Sequence, residues 1–223
     1  MTHEFKKIIQ GFQKAKENRL QCVIATVVAL EGSSYRKPGV RMLIIENGTM
    51  IGAVSGGCVE KEILKQSISI FKTGISKVMA YDGRYRLGCE GTLYILLELF
   101  NPEPSFIDAF NSSLDQHLSF TINSRYSKKI DADKSYGSTI LFDNSFEFTF
   151  NQSVKKSINP SNHLFEQTLK PCFRLVIIGA EHDAVELCVF ASSLGWEVII
   201  ITSPMNPKSI EDFPGAHKML HVA

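Results

Sequence analysis

The run Ser55-Gly56-Gly57-Cys58-Val59-Glu60 sets a thiol directly after a double glycine, where a strand-like stretch gives way to a helical one. Gly56 and Gly57 permit positive φ and close approach of the backbone to a ligand, and the helix that follows offers unpaired N–H groups and the positive end of its dipole. An anion, or the thiolate of Cys58, is stabilised in that setting. The same residues also suit a tight turn with Cys58 packed as a small hydrophobe. Their neighbours bear on the choice. Twenty residues upstream, Gly32-Ser33-Ser34-Tyr35-Arg36-Lys37-Pro38-Gly39 joins two strand-like runs and reads as a binding loop rich in hydroxyls and cations. Arg36 and Arg41 can fork onto a phosphate or carboxylate with Lys37 as a compact charge beside them, although an isolated Arg-Lys pair also suits a solvated turn. Further on, Arg86-Leu87-Gly88-Cys89-Glu90-Gly91-Thr92 brackets a second cysteine with glycines just before an apolar strand. Three such loops within a hundred residues point jointly to a ligand site.

The elements that must hold these loops follow from the hydrophobic periodicity. Phe5, Ile8, Ile9, Phe12 and Ala15 recur at helical spacing between Glu4 and Glu17, and Gln21 to Ala29 is a nearly continuous apolar, β-branched run, the mark of a buried strand. Arg41 to Glu46 and Met50 to Val54 flank Asn47-Gly48, which predicts a hairpin closed by a type I′ turn. Val59, Ile63, Leu64, Ile68 and Phe71 continue the helix after Cys58, and Gly74 closes it. Ser76 to Tyr81 and Thr92 to Phe100 complete a mixed α/β domain over 1–100, its polar loops gathered around Arg36, Cys58 and Cys89.

From Asn101 the character changes. Pro102, Pro104 and Asn111-Ser112-Ser113 predict a connection, followed by short strands near 117–123, 138–143 and 146–150, the last two turned by Asn144 and Ser145. Residues 151–160 read as a polar loop, and 101–170 as a β-rich connecting segment. A third region, 171–223, opens with an apolar strand from Phe173 to Ile178. Gly179-Ala180-Glu181-His182-Asp183-Ala184 leads into a helix through Leu194, Gly195 stops it, and a second strand runs from Trp196 to Thr202. Strand, glycine turn, helix, strand opens a Rossmann-like βαβ domain. Its phosphate-binding pattern is damaged. Glu181 stands where the second glycine would let a pyrophosphate approach, and Thr202 and Ser203 stand where an acid would hold the ribose. Weak or absent NAD(P) binding is expected. The last residue is Ala223, just after a third strand begins at 218–222, so the sheet is expected to be incomplete, with truncation and completion by a partner both open.

Composition narrows the class of function. At 223 residues, 44% apolar and 21% charged, the chain supports two modest domains with real cores, and a net charge of +1 argues against nucleic acid as the main partner. No apolar run approaches a membrane span and the N-terminus lacks a signal-peptide core, so a cytoplasmic protein is expected. Cys22, Cys58, Cys89, Cys172 and Cys188 are odd in number, with no Cys-x-x-Cys pair, which disfavours a disulfide scaffold and a structural zinc. Cys22 and Cys188 fall in apolar patterns and read as core. An unpaired edge strand in an incomplete sheet makes a homodimer an expected arrangement.

Four of these segments, in order, resemble the XdhC/CoxI family, accessory proteins of xanthine dehydrogenase and related molybdenum hydroxylases. Gly32 to Gly39 is similar to the family's G-S-(T/S)-x-R-x-x-G loop, Ser55 to Glu60 to its S-G-G-C-V-E segment, and Leu87 to Thr92 to its L-G-C-G-G-T turn with Glu90 in place of a glycine. Phe165-Glu166-Gln167 and Pro171 to Leu187 resemble the entry into its C-terminal Rossmann-like domain, with Glu181 again replacing glycine. The resemblance implies a chaperone that is not itself an enzyme. It would bind the molybdenum cofactor, promote its sulfuration through a cysteine desulfurase, and insert it into a xanthine dehydrogenase-type hydroxylase. Ser34, Arg36, Lys37, Arg41, Ser55, Gly56, Gly57, Cys58, Glu60, Cys89, Gly179 and His182 would then contact the cofactor, with Cys58 and Cys89 nearest the metal. A docking scaffold that holds no cofactor is the first alternative, favoured by Glu90 and Glu181, and an NAD(P)-dependent oxidoreductase is the second.

Overall fold

The computed structural model describes residues 1–55, 57–83, 90–142, 146–152 and 159–222, and of Cys58 the backbone alone. Gly56, the Arg84–Cys89 stretch, the turn at 143–145 and most of the expected loop at 151–160 lie outside the described residues. The chain forms two compact units that meet at the Lys170–Pro171 bond.

In the first unit, helix α1 (Thr2–Glu17) precedes strand β1 (Cys22–Glu31), the hairpin β2 (Arg41–Ile45) and β3 (Met50–Gly52), helix α2 (Cys58–Thr73), and strands β4 (Lys77–Asp82) and β5 (Thr92–Leu99). The five strands make one antiparallel sheet in the order β3-β2-β1-β5-β4. β1 is central and buried on both faces, which is why its sequence shows no polar alternation. The face carrying Val23, Ala25, Val27, Met42, Ile44, Ile95 and Leu97 packs on Val59, Ile63 and Ile70 of α2. α2 ends at Gly74, whose φ of 68° lets its N–H return to the Ile70 carbonyl, as the sequence predicts. The hairpin exists, but its turn differs from the expected one. Gly48 alone has positive φ (88°), and the bonds Gly48 N–H to Ile45 O and Ile45 N–H to Thr49 O, both 2.8 Å, describe a type I turn with a glycine bulge. The Asn47 side chain accepts the Thr49 N–H instead, so Asn47 needs no left-handed backbone.

The stretch expected as a connecting segment is a second layer of the same unit. Helix α3 (Ser105–Asp115) occupies part of the supposed linker, and β6 (Phe120–Tyr126), β7 (Gly137–Phe142), β8 (Phe146–Thr149) and β9 (His163–Leu169) form a four-stranded antiparallel sheet ordered β8-β7-β6-β9. Phe106 and Phe110, one helical turn apart on α3, are fully buried, and this spacing outweighs the turn-forming residues around them. Together with Phe5, Phe12, Phe100, Phe120, Phe142, Phe148 and Phe150 they form the core between the second sheet, α1 and the remaining face of the first sheet. Their rings meet edge-on or tilted at 4.9 to 6.3 Å, apart from the near-parallel Phe5–Phe150 and Phe106–Phe110 pairs.

The second unit comprises β10 (Arg174–Ile178), α4 (His182–Ser193), β11 (Glu197–Thr202) and β12 (Ala216–His221). Its strands are parallel and ordered β10-β11-β12, so the third strand forms and starts two residues before its predicted position. Cys188, Ala184 and Ala191 pack α4 onto Ile177, Val198, Ile200 and Phe213. Among the described residues no helix is long and apolar enough to cross a membrane.

Candidate functional site

Antiparallel pairing brings the described ends of the three glycine loops to one end of the sheet. β1 and β3 end, β2 and β5 begin, and β4 ends at one end of the five-stranded sheet, so residues 32–40, 53–55, 57, 83, 90 and 91 lie there, along with the start of α2. Two of them touch through their backbones. A Cβ on Gly91 would lie 2.6 Å from the Ser33 carbonyl oxygen and 2.8 Å from that of Glu31, and a Cβ on Gly32, whose φ is 80°, would lie 2.8 Å from the Glu90 carbonyl oxygen. Only residues without side chains allow that approach. The Gly83 N–H closes the third loop on the Gly91 carbonyl at 3.0 Å.

On the 32–39 loop, Tyr35 projects into solvent at 87% exposure, with the Arg36 guanidinium 5.6 Å from its ring centre and Lys37 exposed beside them. The Ser34 hydroxyl accepts the Arg36 N–H at 3.4 Å. The Arg36 Nε is buried without a hydrogen-bond partner. Arg41 stands apart from these surface groups. It is 7% exposed, and its Nη1 donates to the Gly39 carbonyl at 3.0 Å and to the Gln167 side-chain oxygen, beneath the loop rather than on it. Burial lowers its pKa to about 10, opposed by the charge of Glu98. Arg41, expected to fork onto a phosphate or carboxylate, thus lies beneath the loop and away from the surface, with its Nε and Nη2 buried and without a hydrogen-bond partner. As the first residue of β2, it shares the face of Leu43 and Ile45, towards Phe5 of α1 and away from α2.

Glu98 is the buried charge that sequence reasoning passed over, although a lone glutamate inside the apolar run Thr92 to Phe100 is the signal that could have found it. It is 1% exposed and accepts the Ser138 N–H at 2.8 Å and the Ser138 hydroxyl at 2.5 Å, which crosses from the first sheet to the second. Burial raises its pKa to about 7, while the Ser138 hydrogen bonds and the charge of Arg41 pull the other way.

Glu60 also plays a different part from the one expected. Its carboxylate accepts the Val54 N–H at 3.1 Å, the Ser55 N–H at 2.6 Å, the Ser55 hydroxyl at 3.0 Å and the Gly57 N–H at 2.7 Å. Burial disfavours its charge, yet the N–H groups of Glu60 itself, Ser55 and Gly57 and the Ser55 hydroxyl outweigh that and hold it below the usual carboxylate range. The N–H groups expected to receive a ligand's anion are thus already held by a carboxylate of the chain. Gly57 caps α2 at φ 113°, and a Cβ there would meet nothing within 4 Å. Cys58 opens α2. Gly56 and Cys89 lie outside the described residues, and among those described no group of three His, Cys, Asp or Glu side chains is placed to hold a metal ion. Cys22 and Cys188 are core residues as expected, and burial pushes the Cys22 thiol up to about 12.

Gly179 and His182 belong to the second unit. Gly179 has φ of 127° with open space where a side chain would be, and His182 is exposed at the first turn of α4. Asp183, in the first turn of α4, accepts the Ala184 N–H at 2.9 Å, and the Lys208 ammonium donates to the Ala180 carbonyl just before the helix. A separate groove of about 310 Å³ between α2 and β4, lined by Glu62, Gln66, Lys77 and Asp131 among others, contains none of the expected site residues.

This architecture is a mixed α/β protein with the described residues of its glycine loops at one end of the first sheet and a small parallel unit after them. Residues 15–82, which include two of the three loops, match the model of the XdhC and CoxI family. It is 27% identical over 223 residues to a probable xanthine dehydrogenase subunit from Bacillus subtilis (strain 168), a match covering 86% of this chain and 65% of that protein. It is 23% identical over 202 residues to the molybdenum cofactor insertion chaperone PaoD of Escherichia coli (strain K12), covering 88% of this chain and 58% of the relative. The chain therefore spans less than two thirds of the length of either relative. A solved structure of a xanthine dehydrogenase from Bacillus halodurans superposes with a TM-score of 0.73 over 97% of this chain and 68% of that one at 24% identity, a likeness of fold.

Proposed function

We propose that this chain is a molybdenum-cofactor accessory protein of the cytoplasm, which holds the cofactor in its first unit, promotes its sulfuration by a cysteine desulfurase and delivers it to a xanthine dehydrogenase-type hydroxylase. The observation that carries the reading is the convergence of the 32–40 loop, residues 53–55 and 57, and residues 83, 90 and 91 at one end of the sheet, within and beside the segment that matches the family. The relative named as a cofactor insertion chaperone supports it. The residues fit such a ligand. Lys37 is an exposed cation and Arg36 keeps a buried donor without a partner, so the pair suits a pterin phosphate. Bound there, the cofactor would supply a soft metal and its dithiolene, for which the thiols of Cys58 and Cys89 are suited donors. The Glu60 carboxylate orders the loop around Cys58 and is assigned a positioning role in place of contact. Glu181 at the α4 start argues against NAD(P) as a ligand of the second unit. β10 and β12 are the edges of a three-stranded parallel sheet, and pairing with a second copy is the homodimer this reading includes.

The test is anaerobic titration of the purified protein with molybdenum cofactor, comparing wild type with Cys58→Ala and with the buried-cysteine control Cys22→Ala. Stoichiometric binding that C58A loses and C22A keeps is the expected result. Binding by none of the three would favour the docking scaffold, and equal binding by all three would remove Cys58 from the site.

A further inference from the structure

Gln167 sits on β9, in the second sheet, far along the chain from the loop of Arg36 and Lys37, yet the two are joined through Arg41. The Arg41 Nη1 donates both to the Gln167 side-chain oxygen and, at 3.0 Å, to the Gly39 carbonyl. Gly39 has φ of 96°, and a Cβ there would overlap the Gln167 amide, so that amide rests directly against the loop backbone. The backbone at the foot of the loop is tied to β1, through Gly39 N–H to Val27 O at 2.8 Å and Val27 N–H to Val40 O at 3.0 Å. The rest of the loop is exposed or half-buried.

We infer that Gln167 is the positioning residue of the 32–40 loop, acting through the buried Arg41 guanidinium, so that the second sheet is a working part of the candidate site. The inference rests on the proposed function only for what the loop holds, because the mechanical link stands on geometry. Gln167, itself half-buried, accepts from the charged guanidinium of a buried arginine, a donor that water reaches poorly. Removing the acceptor strands a charged N–H and loosens the loop's exit, while the apolar packing of β9 through Leu169 is left in place. Glutamate at 167 would keep an acceptor in the same place.

The experiment uses the full chain and reads the loop without a ligand. Trypsin cuts the Arg36–Lys37 bond only when the loop opens, and the bond after Lys37 is protected by Pro38. In native-state proteolysis followed by mass spectrometry, Gln167→Leu is expected to raise the rate of cleavage after Arg36 about tenfold. Gln167→Glu should return it to within about twofold of wild type. The far-UV spectrum of both variants should match wild type. Cofactor affinity, measured in parallel, should fall in Q167L and recover in Q167E. Cleavage of Q167L at the wild-type rate would overturn the inference, as would a Q167E as labile as Q167L. If wild type binds no cofactor while the proteolysis pattern holds, the functional reading fails and the positioning role survives. Should Q167L fail to fold, Gln167→Met supplies the same test with a more adaptable side chain.

Discussion

Removing the Glu60 carboxylate is the most direct perturbation of the loop that carries Cys58. Its four hydrogen bonds do not weigh equally. Gly57 is exposed and its N–H can be rehydrated, and the Ser55 hydroxyl can turn to another partner. The Val54 N–H lies in a fully buried residue and would be cut off from solvent, and the Ser55 N–H in a half-buried one would be partly cut off. An orphaned buried donor costs about 1–3 kcal/mol, which puts Glu60→Ala at roughly 3–4 kcal/mol for the first unit. Glu60→Gln keeps one acceptor oxygen for Val54 and Ser55 and turns its amide towards Gly57, for a loss of about 1–2 kcal/mol. Urea unfolding at neutral pH, followed by far-UV circular dichroism, measures both. The sign of the pH dependence is set by the lowered pKa. Stability from the Glu60 charge is present above the ordinary glutamate range and is lost as pH falls through the folded value, so wild type and E60Q should converge in acid. A loss below about 0.5 kcal/mol in E60A, or a gap between wild type and E60Q that persists into acid, would refute the reasoning.

Glu98 titrates with the opposite sign. Its pKa is raised to about 7, so its contribution to stability is complete below the ordinary value near 4.5 and is lost as pH rises through about 7, a change on the order of 3 kcal/mol. Relative to wild type, Glu98→Gln should gain about that much between pH 4.5 and 8 in unfolding measurements, whatever constant offset arises from Arg41, and parallel stability curves would sink the assignment. The glycine contacts make a further comparison. Gly91→Ala forces a Cβ against the Ser33 and Glu31 carbonyls and should cost about 2–3 kcal/mol, whereas Gly48→Ala meets open space and bears only the strain of its left-handed φ, about 1 kcal/mol. Equal urea midpoints for the two would show that the loops do not approach as described.

What the sequence disclosed, and what it hid, divides along physical lines. Helices with one apolar stripe and strands in continuous β-branched runs were legible because local pattern and burial agree, as in α1, α2 and β1. Gly48 announced its hairpin, but the kind of turn depended on whether Asn47 spent its side chain on the Thr49 N–H, which composition does not reveal. Helix α3 was hidden because Pro102, Pro104 and Asn111-Ser112-Ser113 punctuate it, and only the tertiary Phe cluster explains why Phe106 and Phe110 prevail. The described residues of the loops read as a joint site lie at one end of the first sheet. Their residues, however, sort by partner in a way spacing could not show. Arg41 looked like a ligand group and is a beam under the loop, and Glu60 looked like a contact and is the clamp that shapes it. Both corrections have one cause. A charged side chain next to a glycine turn faces backbone N–H and C=O groups before it faces any ligand, and when burial removes water those groups must be paired from within. Among the described residues of these loops, Arg36 and Lys37 are cations whose charges are not spent on the loop backbone, which is why the proposed function gives them the anion.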